Sequence, residues 1–234
     1  MKKIGKAWAA VVLMLVAVLV GCDGHHDPLD TSMKVGHILC TDGKTRSYED
    51  YAGSGKEAIA VVFHVNHDEE INGTGYAVYL HDLAPEAFAD SLGIAQGTSA
   101  DLATYDGNEN TFALYDTDDV SSPMAMQVFD MWRYGQSAYV PSVAQMRLLY
   151  AAKEFVNPYI EACGGDPPPA RAATPAGDPL PNEADGCWYW TSTEVEGQET
   201  AKAWLFSMGS GAIQETPKLQ GHKVRAIVTL YNEE

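Results

Sequence analysis

Apolar residues are distributed along this chain in three ways. Residues 7–20 are apolar and uncharged throughout. Further on, short runs rich in β-branched and aromatic residues alternate with polar turns, at 35–39, 58–65 and 75–81 and again at 188–192, 201–207, 212–215 and 223–230. Runs of this length and composition predict strands. In 201–207 the alternation places Ala203, Leu205 and Ser207 on one face and Lys202, Trp204 and Phe206 on the other. Thr41-Asp42-Gly43-Lys44, Asn72-Gly73-Thr74-Gly75 and Gly209-Ser210-Gly211 supply the turns.

Between the two strand-rich regions the pattern turns helical. Ser122-Pro123 is a start signal, because serine can cap and proline loses no needed hydrogen bond at the first helical position. A helix is expected over 124–134, stopped by Gly135. Pro141-Ser142 opens the clearest helix, with Ser142 and Gln145 forming a capping box. Val143, Met146, Leu149 and Tyr150 share its inner face, Arg147 and Lys153 lie off that face, and Asn157-Pro158 disrupts it. A short helix is expected over 85–92, and 97–119, rich in Asp, Asn, Thr and Gly, reads as a surface loop. Residues 163–186 are too dense in proline and glycine for a packed element and read as an exposed insertion. Strands at both ends with helices between them give an α+β class, in which the terminal strands can share a sheet.

The N-terminus changes the picture. Lys2, Lys3 and Lys6 precede the apolar stretch, and Leu19-Val20-Gly21-Cys22 follows it. The stretch is shorter than the ~20 residues of a membrane-spanning helix and fits a signal-peptide core. Its last four residues resemble the lipobox of bacterial lipoproteins, which implies cleavage before Cys22 and a lipid such as palmitate on the new N-terminus. Residues 1–21 then form the signal peptide, 22–33 the lipidated cysteine and a polar tether, and 34–234 one domain carrying a Pro-rich insertion at 164–186. The partners expected are a membrane, through the anchor, and a glycan or envelope protein. Asp23 after the cysteine is an inner-membrane retention signal in enterobacterial sorting, but other phyla use different signals. The expected location is the cell envelope, at the outer membrane or cell surface.

Charge excludes one partner class. The chain has 15 basic and 32 acidic residues, a net of −17, and three of the basic residues lie in the leader. Such a surface repels phosphate backbones, so nucleic acid is not an expected partner.

Four segments stand in order over residues 120–230: Tyr139-Val140-Pro141-Ser142 with Leu148-Leu149; Tyr189-Trp190-Thr191-Ser192-Thr193-Glu194; Ala203-Trp204-Leu205-Phe206 with Gly209; and Lys223-Val224-Arg225-Ala226-Ile227. Together they resemble the C-type-lectin-like domain at the C-terminus of a Legionella collagen-like adhesin. Residues 60–66, Gly73-Thr74-Gly75 and 77–82 resemble that family's opening hairpin. Val140 in place of Leu, Thr191 in place of Ser and the Pro-rich insertion depart from the pattern. The resemblance implies antiparallel sheets with two main helices and long loops, and a binding module for glycan or protein. The fold is also similar to that of formylglycine-generating enzymes, but no two cysteines here match those enzymes' active pair. A non-enzymatic binding or adhesion lipoprotein is therefore the expected function. A structural component of an envelope or fimbrial assembly is the alternative, followed by an enzyme of the formylglycine-generating type.

The candidate ligand-binding residues are Trp188, Thr191, Ser192 and Glu194, an aromatic ring with hydroxyls and a carboxylate at a strand end. Trp190 and Trp204 read as core, and Arg225 as the partner of an acid such as Glu194. No cofactor is expected beyond a weak calcium candidate at Asp106, Asn108, Asp116 and Asp118. That segment lacks the glycine and the twelfth-place glutamate of a calcium loop, and a solvated loop is the favoured reading. His64 and His67 are three apart and point to opposite faces of a strand, so they read as strand-end residues. Cys163 and Cys187 bracket the insertion and are candidate disulfide partners, and with Cys40 the odd count leaves at least one thiol free.

Overall fold

The computed structural model describes residues 32–67, 73–132, 137–169 and 185–231, which belong to one compact unit, Thr31–Glu234. Cys22, the signal peptide, the tether up to residue 31 and residues 170–184 of the Pro-rich segment lie outside the described residues.

The class is α+β, with two five-stranded sheets and four helices among the described residues. The first sheet holds β1 (Ile38–Cys40), β2 (Thr45–Arg46), β3 (Ala58–Val65), β4 (Gly75–Tyr79) and β10 (Ile227–Leu230), in the order β10-β4-β3-β1-β2. All its pairings are antiparallel, with Ile227 opposite Val78 and Val61 opposite Val78 on the other side. The last strand of the chain thus completes the sheet begun by the first. The second sheet holds β5 (Leu83–Ala87), β6 (Trp188–Glu194), β7 (Lys202–Ser207), β8 (Ile213–Pro217) and β9 (Gly221–Val224), in the order β5-β9-β6-β7-β8, with only β6 and β9 parallel.

The sequence of β3, AIAVVFHV, is apolar without strict alternation because both faces of its sheet are covered. Ala60 and Val62 enter one core with Phe88, Leu114, Met124, Val128, Trp190 and Leu205. Val61 and Phe63 enter a second core against Val143, Met146, Leu149, Val156 and Ile160. Gly75 lies so close to β3 that an added Cβ would stand 2.6 Å from the His64 carbonyl oxygen.

The helices are α1 (Tyr48–Ser54), α2 (Gly107–Asp116), α3 (Pro123–Trp132) and α4 (Val143–Ala162). Ser142 and Gln145 close the expected capping box on α4. Three expectations are corrected. Residues 83–87 form an edge strand, not a helix, with Glu86 opposite His222. Pro85 is tolerated because an edge strand can leave one side of its backbone unpaired. The expected loop at 97–119 contains α2, whose inner stripe is Gly107, Asn110, Thr111 and Leu114, helically spaced but mostly small or polar. Helix α4 runs through Pro158, since Val156 and Ile160, both fully buried, hold its last turns on the sheet.

Lys153, expected off the inner face of α4, is fully buried. Its ammonium donates to the carbonyls of Pro169 and Met208 and lies 4.7 Å from the centroid of the Tyr150 ring. Cys163 and Cys187 are both free rather than bridged. Cys163 sits at the C-cap of α4 among the residues of the second core, next to Tyr51 and Cys40, while Cys187 ends the short turn just before β6. Burial pushes the Cys163 thiol up to about 11.

Candidate functional site

Strand β6 carries the residues singled out as ligand-binding, and the structure turns most of them inward. Its ladder with β7 is irregular between Trp190 and Glu194, which frees this stretch for other partners. Thr191, Ser192 and Glu194 are fully buried, a correction to the expectation that they face a ligand. Trp188 is half-buried and packs against the first core. Trp190 is fully buried, donates from Nε1 to the Glu86 carbonyl at 3.0 Å and meets Phe88 edge-on with centroids 5.5 Å apart. Trp204 is half-buried beside the second core.

Three of the inward polar side chains on β6, Thr191, Ser192 and Thr193, have defined tasks. Thr191 donates to the Trp204 carbonyl at 2.8 Å. The Thr193 hydroxyl accepts from the Val143 N–H at the start of α4, at 3.2 Å. Ser192 Oγ accepts from Asn110 Nδ2 at 3.4 Å, and Asn110 Oδ1 accepts from the Ser99 N–H at 2.9 Å. Gln145 extends the network, donating to the Tyr105 carbonyl at 3.2 Å and to the Tyr139 hydroxyl at 3.1 Å. The irregular chain before α2 is therefore held by side chains where no ladder can hold it, as buried backbone groups require.

Glu194 ends this row at a buried trio. Glu194 and Lys218 are fully buried and Gln96 nearly so. Lys218 Nζ donates to Glu194 Oε1 and, at 3.3 Å, to Gln96 Oε1. The Gln96 backbone N–H donates to the same Glu194 oxygen at 2.9 Å. The Phe88 ring lies 4.9 Å from Nζ. Glu194 Oε2 and Gln96 Nε2 have no hydrogen-bond partner among the described residues. Burial lowers the Lys218 pKa, opposed by its bond to Glu194.

Arg225 is the second buried centre. It pairs with Asp82, not with Glu194 as the sequence suggested. Its Nε donates to Asp82 Oδ1 at 2.7 Å, and Nη1 donates to the carbonyls of Tyr79 and Leu80 at 3.1 and 2.9 Å. Nη2 donates to the Asp166 carbonyl. Lys223 and the Tyr189 hydroxyl both donate to Asp82 Oδ2 at 3.1 Å. Burial in the second core pushes the Tyr189 hydroxyl pKa up, and the Asp82 charge adds to this. The cluster ties the end of β4 to β6, β9 and the first residues of the Pro-rich segment.

The structure does not bring the four weak calcium candidates together. Asp106 stands at the N-cap position of α2 and accepts from Thr104 Oγ1 at 2.6 Å and from Asn110 Nδ2 at 2.9 Å. Asn108, Asp116 and Asp118 are exposed. A ten-residue helix separates Asp106 from Asp116 by about 15 Å at 1.5 Å per residue, so these oxygens cannot share one ion. Among the described residues no group of three or more His, Cys, Asp and Glu is placed to hold a metal ion. His64 stacks on Tyr76 at 6.0 Å, and burial lowers its pKa.

Gln96, Lys218 and Asp82 were not singled out from the sequence, and the burial of Lys153 was not foreseen. Each is a lone polar residue in a turn or on a helix, with no motif around it, and only its partners reveal it.

No protein-family model and no curated protein matches this chain. Among solved structures it is similar to a fimbrial protein from Bacteroides ovatus, with a TM-score of 0.57 at 16% identity. The match covers 83% of this chain and 48% of the fimbrial protein, so the chain spans about half of that protein's length. Among the described residues no helix is long and apolar enough to cross a membrane.

Proposed function

We propose that this chain is a structural component of a fimbrial or other cell-envelope assembly, anchored through a lipid on Cys22. The observation that carries this reading is the fold it shares with the Bacteroides ovatus fimbrial protein over 83% of its length. The inward orientation of Thr191, Ser192 and Glu194 supports it, because their polar groups serve the protein's own interior. A C-type-lectin-like adhesion module is the second reading, and it rests on the sequence segments that resemble that domain and on the half-buried Trp188.

Gentle detergent extraction of envelope membranes, followed by affinity purification of the tagged full-length chain, tests the first reading. Stable stoichiometric envelope partners support it. A chain recovered alone that binds glycans on an array, with binding lost in Trp188→Ala, replaces it with the second reading. Palmitate labelling that persists in Cys22→Ala counts against the anchor.

A further inference from the structure

We propose that Lys218 and Gln96 form a covalent isopeptide crosslink inside the folded protein, with Glu194 as the proton shuttle. The reaction is an amide exchange. The Lys218 Nζ lone pair adds to Gln96 Cδ, the Nζ–Cδ bond forms, the Cδ–Nε2 bond breaks, and Nε2 departs as ammonia. Glu194 takes a proton from Nζ and returns it to the leaving nitrogen, ending in the state in which it began. No oxidant, reductant or further reactant is consumed.

The three side chains required meet in the fold. Lys218 Nζ lies 3.3 Å from Gln96 Oε1, which brings the amine to the amide it would attack. Glu194 contacts Nζ through Oε1, and its second oxygen has no partner. The amide nitrogen that must leave, Gln96 Nε2, is also without a hydrogen-bond partner among the described residues. Burying both of these polar atoms without a partner among the described residues is uncommon for a structural ion pair.

The backbone around each group is pinned. Lys218 N–H donates to Ala201 O at 3.0 Å, and Lys218 O accepts from Phe88 and Ala89 N–H at 2.9 and 3.2 Å. The Gln96 carbonyl accepts from Thr117 Oγ1 at 3.2 Å, and Glu194 N–H donates to Thr98 Oγ1 at 3.2 Å. Such positioning replaces a bimolecular encounter, and oriented intramolecular reactions reach effective molarities of about 10⁵–10⁸ M. Burial against the Phe88 ring excludes water and favours the neutral, nucleophilic amine, in line with the lowered pKa of Lys218. The new bond would join segments 122 positions apart and enclose α2, α3, α4 and β6 to β8 in one covalent ring. It does not depend on the assembly reading above.

Tryptic peptide mass spectrometry of the full-length folded chain tests this. The expected product is one branched peptide joining the Gln96 and Lys218 segments, lighter than their sum by one ammonia, with no cleavage after Lys218. Lys218→Arg, which keeps the charge, should give two separate linear peptides. Glu194→Gln should slow or abolish the link, while Gln198→Ala, at an exposed neighbouring turn, should leave it intact. Quantitative cleavage after Lys218 in the folded wild-type protein overturns the proposal. A Lys218–Glu194 link formed with loss of one water overturns it as well.

Discussion

Removing Asp82 should cost this protein far more stability than its position near the surface suggests. Asp82 is 17% exposed and Arg225 only 1%, and the carboxylate is the one counter-ion that reaches the guanidinium among the described residues. In Asp82→Ala the guanidinium stays buried with carbonyl partners from Tyr79, Leu80 and Asp166 but no neutralising charge. The Tyr189 hydroxyl loses its acceptor at the same time. Stranding one member of a buried pair costs about 3–5 kcal/mol. The surviving carbonyl bonds and the partial exposure of Asp82 put this case near 3 kcal/mol on that scale. At about 2–4 °C per kcal/mol for a domain of this size, the melting temperature falls by roughly 6–12 °C. Lys223→Met removes the other, 36% exposed, cation and should cost about 1 kcal/mol or less. Urea unfolding and calorimetry of both variants make the comparison. Equal losses in the two, or a loss below about 1 kcal/mol in Asp82→Ala, would refute the reading that this cluster clamps the sheets together.

Three further outcomes are expected. Gly107→Ala should destabilise by about 1–3 kcal/mol in urea unfolding, because the new Cβ would stand 2.7 Å from the Val140 carbonyl oxygen and 2.9 Å from the Ser142 nitrogen, both backbone atoms. Trp190→Ala should cost about 3–5 kcal/mol and Trp188→Ala distinctly less, since the first ring is fully buried and the second only half so; equal losses would contradict the burial. The Arg46 hydrogen bond, the main cause, holds the Asp42 carboxyl down at about 2, below its ordinary 3.8. A folded-state value below the unfolded one adds stability above the unfolded value that is lost as pH falls toward the folded one, so this contribution should fade between about pH 4 and 2. Carboxyl NMR titration should show Asp42 returning to the ordinary range in Arg46→Met, and an unchanged midpoint would contradict the pairing.

The elements that could be read early are those whose signal is local. The capping box at Ser142 and Gln145 and the start at Ser122-Pro123 are encoded within one helical turn, and both helices begin there. The apolar runs that became β3, β4, β6 and β7 announce themselves by composition. Strand β5 does not, because its partner β9 lies more than a hundred positions away and its own residues, LAPEA, favour no strand. Helix α2 hid because its buried stripe includes Asn110 and Thr111, which look like loop residues until Ser99, Ser192 and Val140 bond to them.

The chemistry of β6 divides in the same way. The sequence singled out Thr191, Ser192 and Glu194 as unusual polar residues at a strand end, and they are unusual. Only the tertiary structure decided which way they point, because strand alternation is set by register and the β6–β7 ladder shifts just there. Likewise the sequence determined that Arg225 needs an acid, since a cation within an apolar run cannot be buried alone. The choice of Asp82 over Glu194, and of Lys218 for Glu194, came from the order of strands in two sheets, a long-range arrangement that no local pattern records.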